Sequence, residues 1–193
     1  MKTAISALAL GAAIAFAPAA FAADNYKFDP SHSQILFSYD HLGFSTTYGL
    51  ISGFEGTATI DQDDLSKSSV NVTFPINMFT TGWEARENHF LSPDFFNAAV
   101  NPNVTFTSTS VEATGDETAK ITGDLTIAGT TKSVVLDAKL NKIGPNPINQ
   151  KPWAGMNATT TLKRSDFGVD KFAPNVSDEV EIVISVEMEK VGG

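Results

Sequence analysis

Few side chains in this sequence are suited to catalysis. The 193 residues include no cysteine and only three histidines, His32, His41 and His89. The lack of cysteine excludes thiol nucleophiles, thiolate metal sites and disulfides, and the histidines do not have the spacing of metal ligands. The sequence has no phosphate-binding loop, serine-hydrolase motif or zinc-protease motif. We therefore predict that the protein is not an enzyme and has no catalytic residue, metal or cofactor.

Arginine is the residue type here that best suits recognition of a ligand head group, because its planar guanidinium fits carboxylates and other polar groups. The sequence contains two arginines, Arg86 and Arg164. Together with His41, at the end of the first long strand, they are the head-group candidates. Each arginine also has a structural alternative, an ion pair. Arg86 would pair with Asp40 or Glu84, and Arg164 with Asp166 or a carboxylate on a neighbouring strand.

Aromatic residues are the more numerous candidates for ligand contacts. The chain contains 14 Phe, three Tyr and two Trp. Because many of them fall within or beside predicted strands, they either pack as a core or line an interior that holds an apolar ligand. The rings expected to line that interior are Phe37, Tyr39, Phe44, Phe54, Phe74, Phe79, Phe90, Phe106, Trp83 and Trp153.

The strands that must position these side chains are indicated by alternation of apolar and polar residues. The last strand is the clearest, with Val180, Ile182 and Ile184 on one face and Glu181 and Ser185 on the other. About eight such strands occur, each with one polar face, which is typical of an antiparallel sheet. A sheet of this size hides its edges by closing into a barrel or stacking as a sandwich, and the length of the strands favours a barrel.

One segment has the pattern of a helix. Thr81 and Glu84 have the spacing of a capping box, residues 83–91 follow with helical spacing, and Ser92-Pro93 ends them. Residues 94–100 are a candidate second helical turn. We therefore predict an all-β barrel with one or two short helices capping an end, in which residues 83–97 and the proline-rich stretch 144–155 gate the interior.

The N-terminal sequence indicates the cellular compartment. Lys2, the apolar stretch at residues 4–17 and Ala20-Phe21-Ala22 are typical of a cleaved signal peptide over residues 1–22. We expect residues 23–193 to form a single barrel domain in the periplasm. The formal net charge of -9 argues against nucleic acid as a partner.

Several motifs occur in the order and spacing of a known family. They are DPSHS (residues 29–33), DHLGFS (40–45), RENHFLSPDFFN (86–97), GDLTIAGTTK (123–132) and RSDFG (164–168). This set resembles the YceI-like family of bacterial periplasmic proteins known for polyisoprenoid binding. The resemblance covers about residues 25–190. It implies an extended eight-stranded antiparallel lipocalin-like barrel with a hydrophobic tunnel for an isoprenoid tail.

The resulting prediction is a periplasmic carrier of a long apolar lipid, such as a polyisoprenoid or an isoprenoid quinone. Burial of the tail would favour binding by about 0.8 kcal/mol per CH₂ group. Two alternatives stay open. One is a ligand-free structural or stress-response barrel. The other is an enzyme acting on a bound lipid, with His41, His89, Asp40 and Glu87 as the acid–base candidates. A quinone-using membrane protein is a candidate partner, and the long final strand is a candidate homodimer seam.

Overall fold

The computed structural model describes residues 23–192, so the predicted signal peptide lies outside the described residues. One helix, α1 (Glu84–Leu91), is present in this range. The strands are β1 (Asp24–Phe28), β2 (Gln34–His41), β3 (Ser45–Ser52), β4 (Glu55–Ile60), β5 (Ser69–Pro75), β6 (Phe79–Thr80), β7 (Asn103–Ala113), β8 (Thr118–Ile127), β9 (Thr130–Pro145), β10 (Pro152–Lys163) and β11 (Glu179–Val191). Short 3-10 turns occur at Pro30–His32, Leu65–Lys67, Ile76–Met78 and Arg164–Phe167.

These segments form a closed antiparallel barrel. Its strand order is β1–β4–β5–β7–β8–β9–β10–β11, and the pairing of β1 with β11 closes this ring of eight strands. β2, β3 and β6 continue the lines of β1, β4 and β5, since β2 also pairs with β11, β3 with β2 and β6 with β3. The predicted eight-stranded antiparallel barrel is therefore confirmed, with three of its strands interrupted.

The interruption between β1 and β2 has a local cause. Pro30 has no backbone N–H to donate to a ladder, and the Asp29 carboxylate accepts instead from the backbone N–H of Ser31 at 2.9 Å. A short 3-10 turn follows, and the chain then resumes as β2 along the same neighbour. The turn lets one strand line bend while it stays paired with β11.

The two ends of the barrel are built differently. At one end, the mouth, the turn at residues 42–44, α1 and the segment 164–178 meet. Here the backbone N–H of Leu42 donates to the Asn175 carbonyl at 3.0 Å. The opposite end, the base, contains the start of β1, the end of β11 and the β9–β10 connection. The stretch 144–155, predicted to act as a gate with residues 83–97, therefore lies at the other end from α1.

The inward faces of the strands supply the core. Met188 is 0% exposed and faces Ala154 across the β10–β11 ladder. The ring of Phe54 packs against Phe28 and Phe74, with centroid separations of 6.3 and 5.6 Å. These three rings belong to the same core cluster as Met188.

The helix begins one residue later than predicted and without the expected capping box. Trp83 is the N-cap and makes no side-chain capping hydrogen bond. Instead, the Glu87 carboxylate accepts from the backbone N–H groups of Thr81 and Gly82 and from the Thr80 hydroxyl. These hydrogen bonds, led by that from the Thr81 backbone, hold the pKa of Glu87 below its ordinary value. Residues 94–100 form hydrogen-bonded turns rather than a second helix.

Within residues 23–192, no helix combines the length and the apolar character needed to cross a membrane.

Candidate functional site

An apolar cavity of about 760 Å³ occupies the barrel interior. It extends from Phe28 and Met188 on the base side to His41 and Phe172 at the mouth. Aliphatic side chains of β5, β8, β9 and β11 form much of the wall between them. The volume is within the range of roughly 300–1,000 Å³ that small-molecule sites occupy.

The polar lining of the cavity is concentrated at the mouth and has one sign of charge. Over residues 23–192, the lining contains both arginines, Arg86 and Arg164, and two histidines, His41 and His89. It contains no Asp, Glu or Lys, although the chain has 22 acidic residues. The cavity is thus an apolar tube with basic groups at its mouth.

Most of the predicted aromatic lining residues border this cavity. The structure places eight of the ten there: Phe37, Tyr39, Phe54, Phe74, Phe79, Trp83, Phe90 and Phe106. The strand phase explains the placement in β2, where Ile35, Phe37, Tyr39 and His41 all face inward.

Contacts between phenylalanine rings connect α1 to the barrel wall. Phe90 of the helix lies 5.9 Å from Phe79 and 5.1 Å from Phe95, and Phe79 lies 6.5 Å from Phe37 of β2 and 6.0 Å from Phe96. Aromatic pairs at such centroid separations each contribute about 0.5–1.5 kcal/mol beyond their buried area. These aromatic contacts therefore help to hold the short helix at the mouth.

Two aromatic predictions are corrected by the structure. Phe44 is 89% exposed, because it follows the β2–β3 turn and has the outward phase of β3, in which Ser45 and Thr47 face inward. Trp153 belongs to β10 rather than to a loop, and its neighbour Ala154 faces inward. The Trp153 Nε1–H donates to Glu187 on the outer wall at 2.9 Å.

Arg164 is engaged with the backbone of its own segment. Its Nε donates to the Ser177 carbonyl at 2.8 Å, and Nη1 donates to the carbonyls of Val169 at 2.6 Å and Lys171 at 2.9 Å. Nη2 donates to the Val176 carbonyl at 2.7 Å. Four of the five N–H groups of this guanidinium are thus used to shape the segment 164–178.

The ion pair of Arg164 with Asp166 is not formed among the described residues. The carboxylate that organises this turn belongs to Asp178, which accepts from the backbone N–H of Ser165 at 2.8 Å and from its hydroxyl at 2.7 Å. The hydrogen bonds from Ser165 hold the pKa of Asp178 below its ordinary value.

Arg86 has its hydrogen-bonding groups available. In the part of the chain that the structure describes, its guanidinium makes no hydrogen bond and no ion pair, so neither alternative pairing, with Asp40 or with Glu84, is observed. The guanidinium lies over the ring of Trp83, whose centroid is 5.8 Å from Cζ. Both Arg86 and Trp83 line the cavity.

A charged cluster ties the mouth elements together. Asp94 accepts from Lys171 Nζ at 3.0 Å and lies 3.2 Å from His89 Nε2, and we call these three residues the latch. The hydrogen bonds from Lys171 and then His89 hold the pKa of Asp94 below its ordinary value. Beside the latch, the rings of Phe95 and Phe172 lie 6.2 Å apart. Asp94, Lys171 and Phe172 were not among the predicted site residues.

The acid–base candidates for an enzyme fall into two groups. His41 and His89 line the cavity, whereas Asp40 and Glu87 do not. The Asp40 carboxylate accepts from the backbone N–H of Gly43 at 2.7 Å, and Glu87 organises the approach to α1. Both carboxylates therefore have local structural roles.

Known proteins are similar to this chain in both sequence and fold. The family model described as the YceI-like domain matches residues 26–188. A UPF0312 protein of Pseudomonas aeruginosa is 42% identical over 193 residues, covering 97% of each chain. A crystal structure of a Campylobacter jejuni YceI protein has a TM-score of 0.72 at 30% identity, over 79% of this chain and 90% of that one. A polyisoprenoid binding domain from Saccharophagus degradans shares the fold, with a TM-score of 0.65 at 13% identity over 86% of this chain and 98% of its own.

Proposed function

Because the chain belongs to the family of YceI-like domains, we propose that it is a periplasmic binding or carrier protein for a long apolar lipid. The lipid is a polyisoprenoid, an isoprenoid quinone or a similar molecule, with its tail in the barrel interior. The observation that carries the proposal is the apolar cavity of about 760 Å³. An eight-stranded barrel with only a structural role can fill its interior with side chains.

Energetics favour an occupant over an empty barrel. An apolar cavity offers water few hydrogen-bonding partners. A lipid tail makes contacts with the cavity walls and leaves water itself, which favours binding by about 0.8 kcal/mol per CH₂ group.

Independent features support the class of cargo and the compartment. The Saccharophagus degradans domain of the same fold is described as polyisoprenoid binding, which supports an isoprenoid tail. The apolar N-terminal sequence and its cleavage signal support export. We further propose that the protein binds its lipid without transforming it and exchanges it with a quinone-using membrane protein.

Native mass spectrometry of protein purified from periplasm without detergent tests the proposal. We expect a chain beginning near residue 23 with a stoichiometric adduct that solvent extracts as an isoprenoid lipid. A bare mass, together with a melting temperature that added prenyl lipids do not raise, would contradict lipid binding.

A pair of substitutions links the adduct to the cavity. Ala158 lines the cavity, whereas Val135 is 42% exposed on the outer wall. Ala158→Phe should remove the adduct and leave a folded barrel, while Val135→Phe should retain it. An adduct that persists in Ala158→Phe would place the lipid outside the interior.

A further inference from the structure

The exposed Phe and Trp side chains are concentrated at the mouth of the barrel. Among residues 23–192, every exposed Phe or Trp lies there: Phe44 is 89% exposed, Trp83 64% and Phe172 54%. Leu42, in the β2–β3 turn, is 48% exposed. We call these four residues the rim. Single exposed apolar side chains are normal, whereas a group of them at one place marks an interaction surface.

The rim positions belong to elements that contact one another. The backbone N–H of Leu42 donates at 3.0 Å to the carbonyl of Asn175, in the segment that contains Phe172. The ring of His89 in α1 lies 6.3 Å from the Phe172 ring, and Trp83 is the N-cap of the same helix. The rim is therefore one surface, built from three elements that surround the cavity opening.

The backbone at two rim positions is unusual for the side chains it carries. Leu42 has a φ of 61° and Phe172 a φ of 66°, both in the left-handed region that Gly and Asn favour because a Cβ is crowded there. A Gly or Asn would satisfy the backbone at lower cost. Each position instead exposes a large apolar side chain, which indicates a role for that side chain at the surface.

A cation lies over each of two rim rings. Arg86 Cζ is 5.8 Å from the centroid of the Trp83 ring, and Lys171 Nζ is 5.6 Å from that of Phe172. Lys171 also pairs with Asp94. Apolar rings beside basic side chains suit the surface of a bilayer, because the rings enter the boundary of the acyl chains while the cations stay level with the phosphates.

From these observations we infer that the rim is a docking surface for a phospholipid bilayer. The rim side chains enter the acyl boundary, and Arg86 and Lys171 lie at the depth of the phosphates. Trp83 and Phe172 also line the cavity, so docking places the cavity opening against the membrane. A lipid tail can then pass between bilayer and barrel without crossing water. This inference rests on the proposed lipid-binding function and specifies the surface at which lipid is exchanged.

Flotation of protein purified from periplasm with phosphatidylcholine vesicles tests the inference, and the parent protein should float with the vesicles. Phe44→Asp removes the most exposed rim ring, which does not line the cavity, and should weaken partitioning by about tenfold or more. Ile148→Asp is the matched control, since Ile148 is 91% exposed in the β9–β10 connection at the base, and should partition like the parent. Both variants should keep the parent melting temperature, because both side chains are exposed.

Fluorescence quenching measures whether the rim enters the bilayer. Vesicles of phosphatidylcholine with brominated acyl chains should quench Trp83 in a Trp153→Phe background, which removes the signal of the other tryptophan. Because Trp83 also lines the cavity, the measurement is made with Ala158→Phe in place, so that quenching does not come from a lipid held in the interior. Absence of quenching in this variant would overturn insertion of the rim.

The outcomes separate this inference from the carrier proposal. If the parent protein did not float, or if Phe44→Asp and Ile148→Asp weakened partitioning equally, the docking surface would be overturned and the carrier proposal would stand on its lipid adduct. Flotation of Phe44→Asp like the parent, with loss of a dimer seen by sedimentation velocity, would show that the rim joins two copies of this chain instead. A protein that docks through the rim but never carries a lipid adduct would contradict the carrier proposal alone.

Discussion

Lys171 Nζ donates to Asp94 Oδ1 at 3.0 Å, although the two residues are 77 positions apart in the sequence. Asp94 follows α1 and Lys171 belongs to the segment 164–178, so this pair joins two of the elements that surround the mouth. The side chains are 42% and 47% exposed, respectively. Exposed ion pairs contribute little to global stability. We therefore expect this pair to affect the rate at which the mouth opens.

We predict that Lys171→Ala accelerates exit of a bound lipid by about two- to fivefold, with little change in melting temperature. The reason is that α1 and the segment 164–178 then separate without first breaking the latch. Stopped-flow transfer of a fluorescent prenyl lipid to vesicles measures the rate. Lys120→Ala, which breaks a pair of similar length on the outer wall, is the matched control. Identical transfer rates in Lys171→Ala and the parent protein would rule out a gating role.

The latch should also weaken at low pH, when Asp94 becomes protonated. Because hydrogen bonds from Lys171 and His89 lower the pKa of Asp94 from its ordinary 3.8, the stabilisation from its carboxylate is fully present above that value. It is lost as the pH falls through the depressed pKa. A carboxyl-carbon NMR titration should place the Asp94 midpoint below 3.8, and Lys171→Ala should raise it. An unchanged midpoint in the variant would show that the pair does not persist in solution.

Arg164→Lys should destabilise the protein by about 2–3 kcal/mol. A lysine ammonium cannot reach the four carbonyls of Val169, Lys171, Val176 and Ser177 that the guanidinium serves from a planar fork. Urea denaturation gives the free energy of unfolding, and hydrogen exchange should be faster within the segment 164–178. Lys163→Ala, at the adjacent position, should have an effect within about 0.5 kcal/mol. Equal stability of the two variants would contradict the organising role of Arg164.

The sequence predicted the barrel well because alternation is a local property of a strand. In β2 the alternation carries Phe37 and Tyr39, two of the predicted lining residues, to the cavity. It failed for Phe44, where a turn intervenes before β3, and for Trp153, where a strand begins inside a stretch interpreted as a loop. In both cases the error concerns where a strand starts, which alternation over a few residues does not determine.

The mouth was less predictable because its contacts connect irregular segments. Arg164 and Arg86 were recognised as candidates from residue type alone, and sequence could not show that one guanidinium is occupied by carbonyls and the other is not. The partners of Arg164 lie five to thirteen residues away in a segment without periodicity. The pairing of Lys171 with Asp94 depends on closure of the whole barrel, which brings these segments together.

Gly123 determines how far the Phe106 ring stays from the cavity centre. A Cβ at Gly123 would lie 2.4 Å from Phe106 Cζ and 2.7 Å from the Thr107 carbonyl oxygen. We therefore expect Gly123→Ala to cost about 1–3 kcal/mol and to push the ring into the cavity, which weakens lipid binding. The nearest atom to a Cβ at Gly155 is the Val186 oxygen at 4.0 Å, so Gly155→Ala is the control. Thermal melting and lipid titration of both variants measure the two effects, and equal behaviour would contradict the steric argument.

The bend between β1 and β2 should be sensitive to pH through His32 and Asp29. His32 Nδ1 lies 2.6 Å from Asp29 Oδ2. The hydrogen bond with Asp29 raises the pKa of His32 above its ordinary 6.5, and the same bond lowers the pKa of Asp29. The stabilisation from His32 is therefore complete below pH 6.5 and is lost as the pH rises through the raised pKa.

An NMR titration of the His32 imidazole checks this expectation. The midpoint should lie above 6.5 in the parent protein and return toward that value in Asp29→Asn, because the amide carries no charge to favour the imidazolium. Ser31→Ala removes a hydroxyl that lies 2.7 Å from the Asp29 carboxylate and 3.0 Å from His32 Nδ1, and should leave a raised His32 midpoint because the carboxylate remains. If Asp29→Asn did not move the midpoint, the carboxylate would not be the partner that stabilises the charged histidine at this bend.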